Sequence, residues 1–460
     1  MKRVTLLLLI SGCVPLLAQQ DGRQLAHDIL KELIEINTSD SVGDNTRAAE
    51  AMAARFRAAG FADADIHVLA PAARKGNVIV RMRGTNPALK PILFMGHLDV
   101  VEARREDWSK DPFQFVEEDG WFYGRGTQDM KSDDALLAAT FIRLKREGFQ
   151  PSRDLILALT ADEEGGEHNG VYWLLKEHRD LIEAEFAINA DAGGGQIKDG
   201  KRLFMGVQAA EKTYATFHVD IRNKGGHSSL PVKDNAIYEL SDALARLEKF
   251  EFPVRLNEVS RTFFERLAAI SKGELASDLL AVTRTQPDPG AVERISREPY
   301  FNALLRTTCI PTELKGGHAE NALPQLAEAT VNCRLVPDDS PQAVQQTLIR
   351  VLAEPKAEVT PAQEVVAGPF SALRSDVMKT VASVTDSTWP GISVIPLMET
   401  GATDGKWTRL AGIPTYGVSA LFIDVDDVRA HGRDERVSQQ SFYDGVGFDY
   451  QLIKRLAGGN

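Results

Sequence analysis

Cysteine is scarce, three residues in 460, and none sits at zinc-finger spacing, so a disulfide-built scaffold and a structural thiolate metal site are excluded. An excess of basic charge is missing too. The 53 Lys and Arg face 65 Asp and Glu, a net charge of −12. Binding a nucleic-acid backbone needs a concentrated basic face, so no nucleic-acid partner is expected. Beyond the first 18 residues no uncharged apolar run approaches the roughly 20 residues that cross a bilayer. Short repeats, low-complexity tracts and Pro-rich linkers are also lacking. What remains is 43% hydrophobic and 26% charged, the composition of a globular chain long enough for two or three domains of about 150 residues each.

Lys2 and Arg3 precede an uncharged apolar stretch over 4–18, and the first acidic residue is Asp21. This predicts a secretory signal over 1–19 and an exported chain, periplasmic or secreted. Two cleavage sites compete. One follows Ala18; the other precedes Cys13, where Ile10-Ser11-Gly12-Cys13 is similar to a lipoprotein box. The run continues through Leu16 and Leu17, which favours the first. Export would leave Cys309 and Cys333 where a disulfide is permitted, yet a pair of small buried hydrophobes is an equal alternative.

Apolar residues recur at helical spacing through Leu25, Ile29, Leu33 and Ile36, and again through Ala48, Met52 and Phe56. β-branched or apolar runs at 77–82, 91–95, 154–160 and 185–190 predict strands, with helical patterns at 133–145 and 170–177 between them. The product is an α/β fold: a mainly parallel sheet covered by helices. From about Glu211 the pattern changes to strand 213–221, helix 235–247, strands 304–314 and 327–336, helix 340–352 and strand 357–366. That β-α-β-β-α-β order is ferredoxin-like, with an insertion over 252–299 helical around 263–280. After Pro369 the α/β pattern returns, with helix 371–384, strands 393–397 and 415–418, and a last helix from Ser438. The expected division is signal 1–19, first α/β part 20–210, ferredoxin-like α+β domain 211–367, second α/β part 368–460.

Polar chemistry gathers at strand ends, where open α/β sheets bind ligands. His97 and Asp99 close one strand and share a face. Asp129 lies in the Gly-rich Gly124–Lys131 loop before a helix, where it could equally cap that helix. Asp162, Glu163 and Glu164 follow another strand in a row, and adjacent like charges invite a cation. Asp191 follows a fourth strand, and His431 lies in Ala430-His431-Gly432-Arg433-Asp434-Glu435. Two imidazoles with several carboxylates and no thiolate suit catalytic zinc.

These five motifs, in this order over nearly all the mature chain, resemble the co-catalytic dinuclear zinc metallopeptidase family of glutamate carboxypeptidase, carboxypeptidase S, aminoacylase and the acetylornithine and succinyl-diaminopimelate deacylases. The surroundings of Arg306-Thr307-Thr308 and the lid insertion are most similar to the carboxypeptidase S branch. The resemblance implies a zinc-binding α/β domain interrupted by a ferredoxin-like lid that often dimerises, giving a homodimer. It implies two Zn(II) ions, with Co(II) or Mn(II) as substitutes: His97 and Asp191 on one, Glu164 and His431 on the other, Asp129 bridging. Asp99 would orient His97, and Glu163 would act as general base and acid. His227, in Gly225–Pro231, would reach the tetrahedral oxyanion across the dimer. Asn321, Arg334 and the Gly401-Ala402-Thr403-Asp404 loop would hold a substrate carboxylate, which the planar Arg fork suits. Ser132 departs from the family's usual Gly, and Asp191 stands in a loose motif context.

Three readings follow: a carboxypeptidase or dipeptidase acting beside a free carboxylate, a deacylase of N-acyl amino acids, or a metal-holding binding protein. The retained Glu163, which ligand duty does not require, disfavours the last. His27, His67, His178 and His218 read as surface or structural; His168 and His318 are loop residues beside the motifs, and Trp108, Trp121 and Tyr123 read as packing.

Overall fold

The computed structural model describes residues 14–459. The expected leader as far as Cys13, with the lipoprotein box, lies outside the described residues; the first described element is helix Val14–Glu35. The chain folds as two compact units. One comprises the chain through Val207 with Arg374–Val394 and everything from Ala411; the other comprises Gln208–Leu373 with Ile395–Leu410.

The first unit is built on a large mixed sheet whose centre is parallel. Leu155–Thr160, Ile92–His97, Phe186–Asn189 and Thr415–Gly417 lie side by side in that order, all parallel. The first three are buried at every position, so their sequences read as continuous apolar runs rather than alternating ones. Antiparallel pairs flank this centre, Ile66–Leu69 on Asn77–Met82 and Asn77–Met82 on Leu155–Thr160 at one side, and Gly194–Lys198 on Lys201–Glu211 at the other. Helix Lys131–Arg146 is buried over most of its length, its polar first turn included, and packs against both Val14–Glu35 and Gln439–Ala457. Its last turn carries Arg143, Lys145 and Arg146, which complement the carbonyl end of the helix. Among the described residues, no helix is long and apolar enough to cross a membrane.

The second unit carries a four-stranded antiparallel sheet in the order Thr308–Gly316, Leu326–Leu335, Thr213–Arg222, Ala357–Pro361. Its connections through Ala236–Glu248 and Pro341–Leu352 make the expected β-α-β-β-α-β module. Alternation is strict: Phe217, Val219 and Ile221 point into a core with Leu240, Leu247, Val331 and Leu348, while His218 and Asp220 between them do not. Cys309 and Cys333 are neighbours on paired strands and form a disulfide.

The inserted segment is more helical than expected. The pattern at 263–280 is two helices, Glu258–Ile270 and Gly273–Val282, separated at Ser271 and by a positive φ at Gly273. Two further helices, Pro289–Ile295 and Pro299–Leu305, each start with proline in the first turn, where its missing N–H costs nothing. The last of these takes Leu304 and Leu305 into a buried helix end, so the strand expected from 304 begins at Thr308. Ile395–Leu410 groups with the second unit because Arg409 ion-pairs with Glu211 at 3.1 Å and donates to Gln208 at 2.6 Å, and the Thr403 hydroxyl donates to Glu211 at 2.9 Å.

Candidate metal centre

His97 is the last residue of its strand and 2% exposed. Its Nδ1 lies 3.0 Å from the Asp99 carbonyl oxygen. A carbonyl only accepts, so Nδ1 carries the proton and the Nε2 lone pair is left for a ligand. Nε2 faces Asp129 Oδ1 at 3.1 Å and Asp191 Oδ1 at 3.4 Å. The second Asp129 oxygen, Oδ2, lies 3.0 Å from His431 Nε2, which also meets Glu164 Oε1 at 2.9 Å. One carboxylate thus stands between two imidazoles, each with a further carboxylate of its own. His97, Asp129 and Glu164 each offer a donor atom within 4.8 Å of the others.

Three strand ends and two loops deliver these groups. Asp191 follows Phe186–Asn189, and Asp162, in the left-handed region at φ 66°, turns the chain beyond Leu155–Thr160 so that Glu163 and Glu164 enter the loop. Asp162 is buried and held by ion pairing with Lys75, which also binds Asp40. The Asp99 carboxylate accepts the backbone N–H groups of Glu163 at 3.2 Å and Glu164 at 2.9 Å. Its nearer oxygen is 3.6 Å from His97 Nδ1, so the imidazole is oriented by the Asp99 main chain and the acidic loop by its side chain. His431 has φ 62° and its side chain is 55% exposed, which opens that side of the centre to solvent.

The electrostatics fit a divalent cation. Burial alone would lower the His97 pKa, but the facing Asp191 and Asp129 carboxylates outweigh it and hold the group well above its ordinary value. Hydrogen bonds that its imidazole donates to the Asp129 and Glu164 carboxylates raise His431 to about 10. Burial pushes Asp191 up to about 6. For Asp129 burial also acts upward, and the two imidazoles overcome it to hold the carboxyl below its usual range. A metal taking these nitrogen and oxygen atoms as ligands would do so in competition with protons on the imidazoles. Nitrogen and oxygen donors without sulfur suit zinc and the ions that replace it.

The residues expected to touch substrate lie in the second unit, in two groups. His227 and Asn321 come together where Gly226–His227 pairs with Ala322–Leu323, and the Ser228 N–H donates to the Asn321 carbonyl at 3.0 Å. Arg334 lies over the Tyr214 ring at 4.6 Å and donates to the Thr400 carbonyl at 3.4 Å, beside Gly401. Among the described residues no acidic side chain pairs with Arg334. Thr403 turns instead to Glu211.

Two residues around the centre carried no role in the sequence reading. Glu435 is fully buried, and its carboxylate collects Arg125 and three backbone N–H groups of the Asp129 loop. Gln128 ties the same loop to the His431 segment. Their partners are main-chain atoms, which leave no mark in a sequence beyond an acid near a histidine.

The chain matches the family model Peptidase family M20/M25/M40 over residues 93–455. It is similar to the human N-fatty-acyl-amino acid synthase/hydrolase PM20D1, 28% identical over 81% of this chain and 75% of that protein. It is equally similar, at 28% over 82% of this chain and 74% of the relative, to probable carboxypeptidase S-like 2 of Dictyostelium discoideum. The crystal structure of the M20 family metallo-carboxypeptidase Sso-CP2 from Sulfolobus solfataricus shares the fold, with a TM-score of 0.68 at 18% identity, covering 93% of this chain and 98% of that one. The chain therefore belongs to Peptidase family M20/M25/M40. It is a hydrolase of peptide or amide bonds with the family's α/β fold and a His/Asp/Glu metal site.

Proposed function

We propose that this hydrolase is an exported carboxypeptidase or dipeptidase that cleaves an amide next to a free carboxylate, using two zinc ions. The observation that carries the proposal is the Asp129 carboxylate, with one oxygen on each of two imidazoles. His97 and Asp191 would hold one ion, His431 and Glu164 the other, and Asp129 both. When bound, such a pair supplies Lewis acidity to a scissile carbonyl and acidifies water. Glu163, whose backbone N–H is anchored on Asp99, takes a proton from the attacking water onto its carboxylate and delivers it to the leaving nitrogen. Arg334, which has no acidic partner among the described residues, takes the substrate carboxylate together with Asn321 and the Gly401–Thr403 turn; His227 is assigned to the developing oxyanion.

Removal of N-acyl groups from amino acids is the second reading, favoured by the similarity to an N-fatty-acyl-amino acid hydrolase. Export is supported by the basic and apolar first residues and by the Cys309–Cys333 bond, which suits an oxidising compartment. A homodimer through the second unit is supported by edge strand Thr308–Gly316, on which Ile310 is 63% and Leu314 66% exposed. The deciding experiment is Glu163→Gln with metal content measured alongside turnover of dipeptides and N-acyl amino acids. Turnover should fall by about 10²–10⁴ with zinc retained; undiminished turnover removes Glu163 from the chemistry.

A further inference from the structure

The His431 segment and the Asp129 loop are fastened to each other by a buried carboxylate that touches no proposed metal ligand side chain. Glu435 is 0% exposed. Its Oε2 accepts from Arg125 Nη1 at 2.6 Å and from the Gly126 N–H at 3.0 Å; its Oε1 accepts from the Gln128 N–H at 2.6 Å and the Asp129 N–H at 3.0 Å. Four donors converge on one side chain, three of them main-chain groups of the loop that carries Asp129. The return connections run from that loop to the His431 segment. Arg125 Nη2 donates to the Gly432 carbonyl at 2.9 Å. The Gln128 amide oxygen accepts the N–H groups of Arg429 at 2.7 Å and Ala430 at 3.0 Å, and its nitrogen donates to the Arg436 carbonyl at 2.8 Å.

Strand Arg436–Ser438 pairs with Trp121–Tyr123 at the base of the two segments, and the Gly124 N–H donates to the Glu435 carbonyl at 3.1 Å; beyond that pairing, residues 124–130 and 425–435 have no helix or strand of their own. Positions 124 and 126 are glycines at positive φ, and His431 and Asp434 also lie at positive φ. His97 and Asp191, by contrast, sit at or just beyond ends of buried strands. A buried anion is retained only when its partners repay the loss of hydration, and here all four donors, Arg125 included, belong to the loop that carries Asp129.

We infer that Glu435 is a positioning residue of the metal centre: with Gln128 it sets Asp129 and His431 as one unit, so that the ion between Asp129, Glu164 and His431 depends on it more than the ion at His97 and Asp191. This rests on the two-ion reading proposed above.

The test is metal binding, read without turnover. Wild-type chain, Glu435→Gln and Gln128→Leu are stripped of metal and titrated with zinc against a chromophoric chelator, with folding followed by circular dichroism. Glu435→Gln keeps the shape but puts an amide NH₂ where two N–H donors arrive. Gln128→Leu leaves the buried anion in place and removes only the ties to the His431 segment. In both, the ion at Glu164 and His431 should bind about 10- to 100-fold more weakly, the range found when outer hydrogen-bond partners of ligands are lost, and the ion at His97 and Asp191 should weaken clearly less. Leu452→Ala, a buried change in helix Gln439–Ala457, lowers stability without weakening either ion. Two ions bound with wild-type affinity by a folded Glu435→Gln, or by Gln128→Leu if the first does not fold, overturn the inference. Equal weakening of both ions, or the same weakening in Leu452→Ala, reduces Glu435 to a general structural role and overturns it too. Failure of the wild-type chain to bind two ions refutes the two-ion reading instead.

Discussion

Replacing Asp99 by Asn separates two jobs that an acid near a metal-binding histidine can do. The His97 ring is bonded through the Asp99 main-chain carbonyl, which the substitution keeps. The Asp99 carboxylate holds two backbone N–H groups, those of Glu163 and Glu164, at 3.2 and 2.9 Å. Hydrogen bonds to a charged acceptor are worth about 1.5–3 kcal/mol each, and a buried donor left unpaired costs about 1–3 kcal/mol. Asn offers one acceptor oxygen for two donors, so one bond survives in weaker form and one N–H meets an NH₂. Burial raises the Asp99 pKa, so the carboxylate carries a desolvation cost that the amide avoids, and this offsets part of the loss. The balance is about 2 kcal/mol, confined to the loop. At about 1.4 kcal/mol per tenfold, exchange of the Glu163 and Glu164 amide hydrogens should quicken roughly thirtyfold. Turnover should fall by a similar factor, because the loss misplaces Glu163. Hydrogen exchange by NMR, steady-state kinetics and zinc titration together test this, with one ion per chain keeping its wild-type affinity. Unchanged exchange at those two amides, with both ions weakened, would refute the reasoning and return the carboxylate to orienting His97.

Burial raises Asp133 to about 7; a folded-state pKa above the unfolded one means stability present below about pH 4 that is lost as pH rises to about 7, by at most about 4 kcal/mol. Melting of the metal-free chain from pH 4 to 8 should show a decline that flattens in Asp133→Asn, and equal slopes would discount the buried acid. Lys75→Met leaves the Asp162 carboxylate, 1% exposed, without its cation, so denaturant unfolding should show a loss of about 3–5 kcal/mol; a loss under 1 kcal/mol would show that Asp162 does not need it. Arg334→Lys loses the planar fork, and kinetics should show KM for substrates with a free carboxylate rising about tenfold or more at nearly constant kcat, with amidated compounds unaffected.

Legibility in the sequence followed burial. Strands such as Ile92–His97 and Leu155–Thr160 are apolar throughout and end abruptly in acids or histidine, so both strand and site could be read from one pattern. The second unit was readable because Thr213–Arg222 and Leu326–Leu335 alternate without a break. Lys201–Glu211 was missed because its buried half includes Gln208 and Glu211, polar groups satisfied by Arg409 and Thr403 from a distant segment. The helix from Pro299 carried a local signal in proline at the first turn, outweighed by the apolar residues from Leu304 on that suggested a strand. Glu435 was unreadable for a different reason: three of its four partners are main-chain N–H groups more than three hundred positions earlier.

The position of Thr415–Gly417, wedged between Phe186–Asn189 and Lys201–Glu211 in the sheet, has a bearing on biosynthesis. A ribosome delivers both neighbours long before the strand that joins them, and delivers the nearly contiguous second unit in between. That unit can mature while the other waits with its sheet split. His431 arrives later still, so on the two-ion reading the ion it would share with Glu164 waits for nearly the whole chain, while His97, Asp129 and Glu164 are delivered early.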